Sequence, residues 1–114
     1  MIERLDTKGL FLTYHYDSFN IDLDKPLAEQ LDELDEDIIQ LEMDDDYIVN
    51  LGYHPSHTIK GEFKVEIIKK FNREQTLWTK TSKTPHGLFA ILQEAVNKVK
   101  KLTVSDEGKT VKRN

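Results

Sequence analysis

The chain has no cysteine, no glycine-rich phosphate loop, no long apolar run and, between Glu29 and Asp46, not one lysine or arginine. Each absence excludes something. Without cysteine there is neither a disulfide framework nor a thiolate metal site, a composition that suits a reducing cytoplasm. Nothing approaches the roughly 18 apolar residues that span a bilayer, and Met1-Ile2-Glu3-Arg4-Leu5-Asp6 lacks the basic start and apolar stretch of a signal peptide. The expectation is a cytoplasmic protein with no membrane partner. Ser18, Ser56, Ser82 and Ser105 lie outside any nucleophile-elbow or serine-lysine motif, and no cofactor motif occurs. The chain therefore reads as a non-enzyme without a cofactor.

What is present is charge, unevenly spread. Residues 1–50 hold 15 acidic and 3 basic side chains, and residues 51–114 hold 6 and 13, so the two parts carry −12 and +7. A field polarised in this way selects partners by sign and steers their approach. With 114 residues, 38% hydrophobic content and ten aromatic residues, the chain supports one folded domain around one core.

Hydrophobic periodicity gives the expected elements. Leu10, Leu12, Tyr14 and Tyr16 alternate as a strand over Gly9 to Tyr16. Pro26 marks a helix start, and Leu27, Leu31, Leu34, Ile38 and Leu41 recur in steps of four and three, predicting an amphipathic helix. Alternation returns in Tyr47 to His54, in Gly61 to Phe71 and in Glu74 to Ser82, the last two forming a hairpin with Trp78 at the centre of its second strand. Thr84-Pro85 opens a second helix, whose stripe is Leu88, Leu92, Ala95, Val99 and Leu102. The expected architecture is α+β, a mainly antiparallel sheet of about four strands with two helices in the order β-α-β-β-β-α. Residues 1–102 form the domain and residues 103–114 a flexible basic tail.

Helix, three strands and helix is an order that resembles a double-stranded-RNA-binding domain, in order alone. Such domains read RNA with a lysine-rich start to the last helix, where this chain has Thr84-Pro85-His86-Gly87, and with polar groups on a first helix that here is densely acidic.

The acidic helix is the leading candidate site. Glu29, Asp32, Glu33, Asp35, Glu36, Asp37, Glu42, Asp44, Asp45 and Asp46 have no cation within the expected helix at spacing three or four to relieve their repulsion. The positive charge is expected from outside: a basic protein partner, such as one that grips nucleic-acid phosphates, which this chain would occupy as a small inhibitor or adaptor. The bland alternative is a solvated outer face. A second reading is direct nucleic-acid binding by Tyr53, Lys64, Lys70, Arg73, Trp78 and Lys80, against which Glu62, Glu66 and Glu74 interrupt the basic stripe. A third is a homo-oligomer that mates acidic and basic faces. Small size, high charge and missing motifs are shared with accessory proteins of phages and mobile elements. No metal is expected: His54-Pro55-Ser56-His57 offers two ligands where zinc needs more, and Asn20-Ile21-Asp22-Leu23-Asp24 continues with Lys25 where a calcium loop needs glycine.

Overall fold

The computed structural model describes residues 1–44 and 46–113, with side chains of the final helix described as far as residue 104. Five strands, β1 (Leu12–Asp17), β2 (Ile39–Met43), β3 (Tyr47–His54), β4 (Glu62–Lys69) and β5 (Asn72–Ser82), precede one helix, α1 (Leu88–Arg113). The strands form a single antiparallel sheet in the order β1-β2-β3-β4-β5. The α+β class agrees with the sequence expectation, with five strands instead of about four and one helix instead of two.

The missing helix is the acidic one. Leu27–Glu29 and Leu31–Glu33 are single 3-10 turns, separated by Gln30 in a non-helical conformation (φ −140°, ψ 41°). Two physical reasons account for this. Uncompensated carboxylates repel along a helix, and aspartate, present three times between residues 32 and 37, is a weak helix former in its own right. The stronger reason lies downstream, where Ile39, Leu41 and Met43 alternate with Gln40 and Glu42 and are wholly buried. That segment gains pairing on both edges as a strand, Ile39 opposite Asp17 and Leu51, Leu41 opposite His15 and Val49. The period-3.6 stripe was thus assembled from loop anchors and strand residues: Leu34, Ile38 and Leu41 are all fully buried, but not along one helix.

The sheet has a core face and an open face. Ile39, Leu41, Met43, Tyr47, Val49, Leu51, Tyr53, Phe63, Val65 and Ile67 form one apolar layer with Leu88, Leu92, Ala95, Val96 and Val99 of α1. On the other face, register rows such as Tyr16, Gln40, Asn50, Glu66 and Thr79 are largely polar, the division usual for an antiparallel sheet covered on one side. The stripe expected for α1 is the stripe observed, although the helix bounds run beyond Leu102 to Arg113. Phe71, which alternation over Gly61 to Phe71 puts on the same side as Phe63, Val65 and Ile67, is instead 83% exposed, because β4 ends at Lys69 and the β4–β5 ladder slips on either side of Ile68.

One glycine is dictated by close approach. The chain entering β2 passes against β3, with the Ile38 N–H donating to the Leu51 carbonyl and the Tyr53 N–H to the Asp35 carbonyl, both at 2.8 Å. A side chain on Gly52 would overlap the Glu36 carbonyl, whereas one on Gly87 meets open space. Gly52→Ala is therefore expected to cost about 3 kcal/mol, and Gly87→Ala to stay within about 0.5 kcal/mol. Urea denaturation of the two variants beside the parent checks this; equal stabilities would rule out the close approach.

Candidate functional site

Residues 18–38, between β1 and β2, carry eight of the acidic side chains (Asp22, Asp24, Glu29, Asp32, Glu33, Asp35, Glu36 and Asp37) and one lysine, Lys25. This excursion is closed at its neck. The Ser18 N–H and hydroxyl both donate to the Ile38 carbonyl, at 2.9 and 3.1 Å. Within it, Gln30 acts as a brace: its side-chain carbonyl accepts the Asp22 N–H at 2.8 Å, and its amide donates to the Asp22 and Lys25 carbonyls at 2.9 and 3.2 Å. Ile21, Leu34 and Ile38 are buried in the core, with Phe19, Leu27 and Leu31 packed against it. Satisfied backbone groups and apolar anchors give this long connection the character of a fixed platform.

The acids divide into two sets. In the first, partners are internal: Asp35 lies 2.7 Å from His57 Nε2, Glu42 is 3.8 Å from Lys70 Nζ, Asp46 is 3.0 Å from Lys69 Nζ, and Asp44 accepts the Phe11 N–H at 2.7 Å. Glu42 is moreover on the open face of the sheet, in the register row of Tyr14 and Ile48. The second set is Glu29, Asp32, Glu33, Glu36 and Asp37. Their side chains have no hydrogen-bond or ion-pair partner among the described residues, and all but the half-buried Glu33 are exposed. Asp45 lies outside the described residues.

The residues considered for nucleic acid are not brought together. Lys64 and Lys70 belong to the open-face side, where they neighbour Glu66 and Glu42 at 3.7 and 3.8 Å. Trp78 and Lys80 stand opposite Ile67 and Val65 on the core-face side, with Lys80 paired to Glu94 at 3.2 Å. Arg73 is exposed near the β4–β5 turn, and Tyr53 is 1% exposed, its ring edge-on to Phe63 at 4.9 Å and so closed to a stacking base. Among the described residues no three His, Asp or Glu side chains converge to hold a metal ion, and no helix is long and apolar enough to cross a membrane.

Sequence reasoning passed over Gln30, weighed His57 as a metal ligand, and passed over Asp17. The first two became structural only once the helix dissolved into a braced loop. Asp17, the last residue of β1, sets where the excursion leaves the sheet: it accepts the Phe19 N–H at 2.9 Å and the Ile2 N–H at 3.1 Å. A turn signal, Asp two residues before an amide it can bind, was present in Asp17-Ser18-Phe19.

No protein-family model, curated protein or solved structure matches this chain. The geometry alone carries the functional argument.

Burial pulls the Asp17 carboxyl upward, but the N–H groups of Ile2 and Phe19 and the terminal ammonium outweigh it, holding its pKa below the usual aspartate value. A depressed folded-state pKa contributes stability that is present above the unfolded pKa, near 3.9, and lost as pH falls through the folded value. Melting temperature followed by circular dichroism from pH 6 down to pH 2 should therefore fall less steeply for Asp17→Asn than for the parent, with the variant a few degrees lower at pH 6. Identical acid profiles would remove Asp17 from this role.

Proposed function

We propose that this is a non-enzymatic binding protein whose residues 18–38 present fixed carboxylates to a positively charged macromolecular partner, acting as a small inhibitor or adaptor. The observation that carries the reading is the second set of acids. Among the described residues Glu29, Asp32, Glu33, Glu36 and Asp37 have no partner, although the same chain supplies lysines to Glu42 and Asp46 and a histidine ring to Asp35. With the backbone beneath them closed at Ser18–Ile38, these carboxylates need little backbone ordering when a partner arrives, so more of their attraction is retained as affinity and as rate of encounter. A row of anionic groups on a stiff support offers Arg and Lys side chains what a nucleic-acid backbone offers them, charge at fixed spacing. The partner is accordingly a basic protein whose surface grips phosphates.

The test is competition on a polyanionic resin. Basic polypeptides from a cell extract are bound to heparin-agarose and challenged with the parent protein or with D32N/E33Q/E36Q/D37N, which keeps side-chain size and removes four charges. The parent should release one or a few polypeptides in a salt-sensitive manner, and the amide variant should need about tenfold more protein, or fail. Circular dichroism of the variant should be unchanged, since these side chains hold nothing in the fold. Equal release by both proteins would dismiss the carboxylates as the binding groups.

A further inference from the structure

A groove of about 370 Å³ runs between the later turns of α1 and the β4–β5 hairpin, lined by Ile67, Leu77, Trp78, Lys98, Lys101 and Leu102. Its apolar floor has a local cause. Ile67 pairs with Trp78 but Ile68 pairs with Thr76, so Leu77 is an extra residue in β5. A bulge of this kind breaks the alternation of side chains. Leu77 and Trp78 consequently both pack against the core from the groove, each only partly buried.

The rim is cationic and unneutralised. Lys98 and Lys101 are three residues apart on α1 and so share one side of it. Neighbouring lysines are paired, Lys80 with Glu94 at 3.2 Å and Lys100 with Asp6 at 3.4 Å. Among the described residues no carboxylate pairs with Lys98 or Lys101, and the Lys98 ammonium lies 6.0 Å from the centre of the Trp78 ring. An apolar concavity of this volume with two convergent charges has the make-up of a small-molecule site, in which apolar walls supply affinity and few polar groups fix orientation.

We propose that this groove binds a small amphipathic anion, a carboxylate or sulfonate carried on an acyl or aromatic body. The apolar body lies on Leu77, Trp78 and Leu102, and the anionic head meets Lys98 and Lys101. The site is separate from residues 18–38, and it stands whether or not those bind a partner.

Trp78 is the sole tryptophan of the chain and reports on the groove directly. Decanoate, decanol and decyltrimethylammonium, titrated below their micelle concentrations, compare one tail with three head charges. Decanoate should change Trp78 emission saturably and shift the amide resonances of Leu77, Trp78, Lys98, Lys101 and Leu102 in nitrogen-proton spectra. The cationic amphiphile should bind about tenfold more weakly or not at all. Lys98→Gln with Lys101→Gln should weaken decanoate by a similar factor, and Lys98→Glu with Lys101→Glu should reverse the preference towards the cation. The proposal is overturned by an equal response to all three head groups, by no saturable response, or by undiminished decanoate binding in the glutamine variant.

Discussion

Everything in this fold follows from the pairing of Ile39–Met43 on both of its edges. A five-residue strand flanked by β1 and β3 has its backbone groups satisfied from two sides and its apolar residues delivered to the core layer. A helix through the same residues would satisfy the backbone equally well but would leave β1 without a neighbour and break the layer of Ile39, Leu41 and Met43. The strand therefore prevails, and the acids upstream are forced into a loop whose two ends must meet at Ser18 and Ile38.

That constraint rearranges the charge that the sequence displays so plainly. The acids are not gathered on one helix. Those next to β2 and β3 fall within reach of lysines on β4 or just beyond it, as Glu42 does with Lys70 and Asp46 with Lys69, and their charge is spent inside the fold. Those upstream stay outside, on a support made by Gln30, Leu34 and Ile38. A polarised sequence thus becomes a molecule in which the neutralised and the unneutralised acids occupy different elements. Electrostatic attraction is worth little between exposed single pairs. Several charges held at fixed spacing act together, and the platform supplies that spacing.

Legibility tracked the ambiguity of period. Tyr47, Val49, Leu51 and Tyr53 admit only a strand, Phe63, Val65 and Ile67 likewise, and Leu88, Leu92, Ala95 and Val99 only a helix; all three readings match the structure. Residues Leu27 to Leu41 satisfied helical spacing because core anchors in an irregular loop can fall at any spacing, and here they fell at three and four. Ile39, Leu41 and Met43 also satisfied period two. Local pattern cannot choose between these, since the choice depends on neighbours distant in sequence. Phe71 failed for another reason, ladder slips near Ile68 that shift the outgoing strand and have no signature in the residues themselves. The candidate acids were legible as residue types; their division into paired and unpaired sets required the register.

The strand order repeats the order along the chain, and this has a kinetic meaning. Each of β2–β3, β3–β4 and β4–β5 closes through a short connection, so these hairpins form with small losses of chain entropy. Only β1 must wait for a long segment to be brought back on itself before it finds Ile39–Met43. Closure entropy thereby favours an order in which the three hairpins zip first and β1 docks last. The stretch that displays the unpaired carboxylates takes its shape in that final step, so a chain still unfinished at its amino-terminal edge has not yet set their spacing.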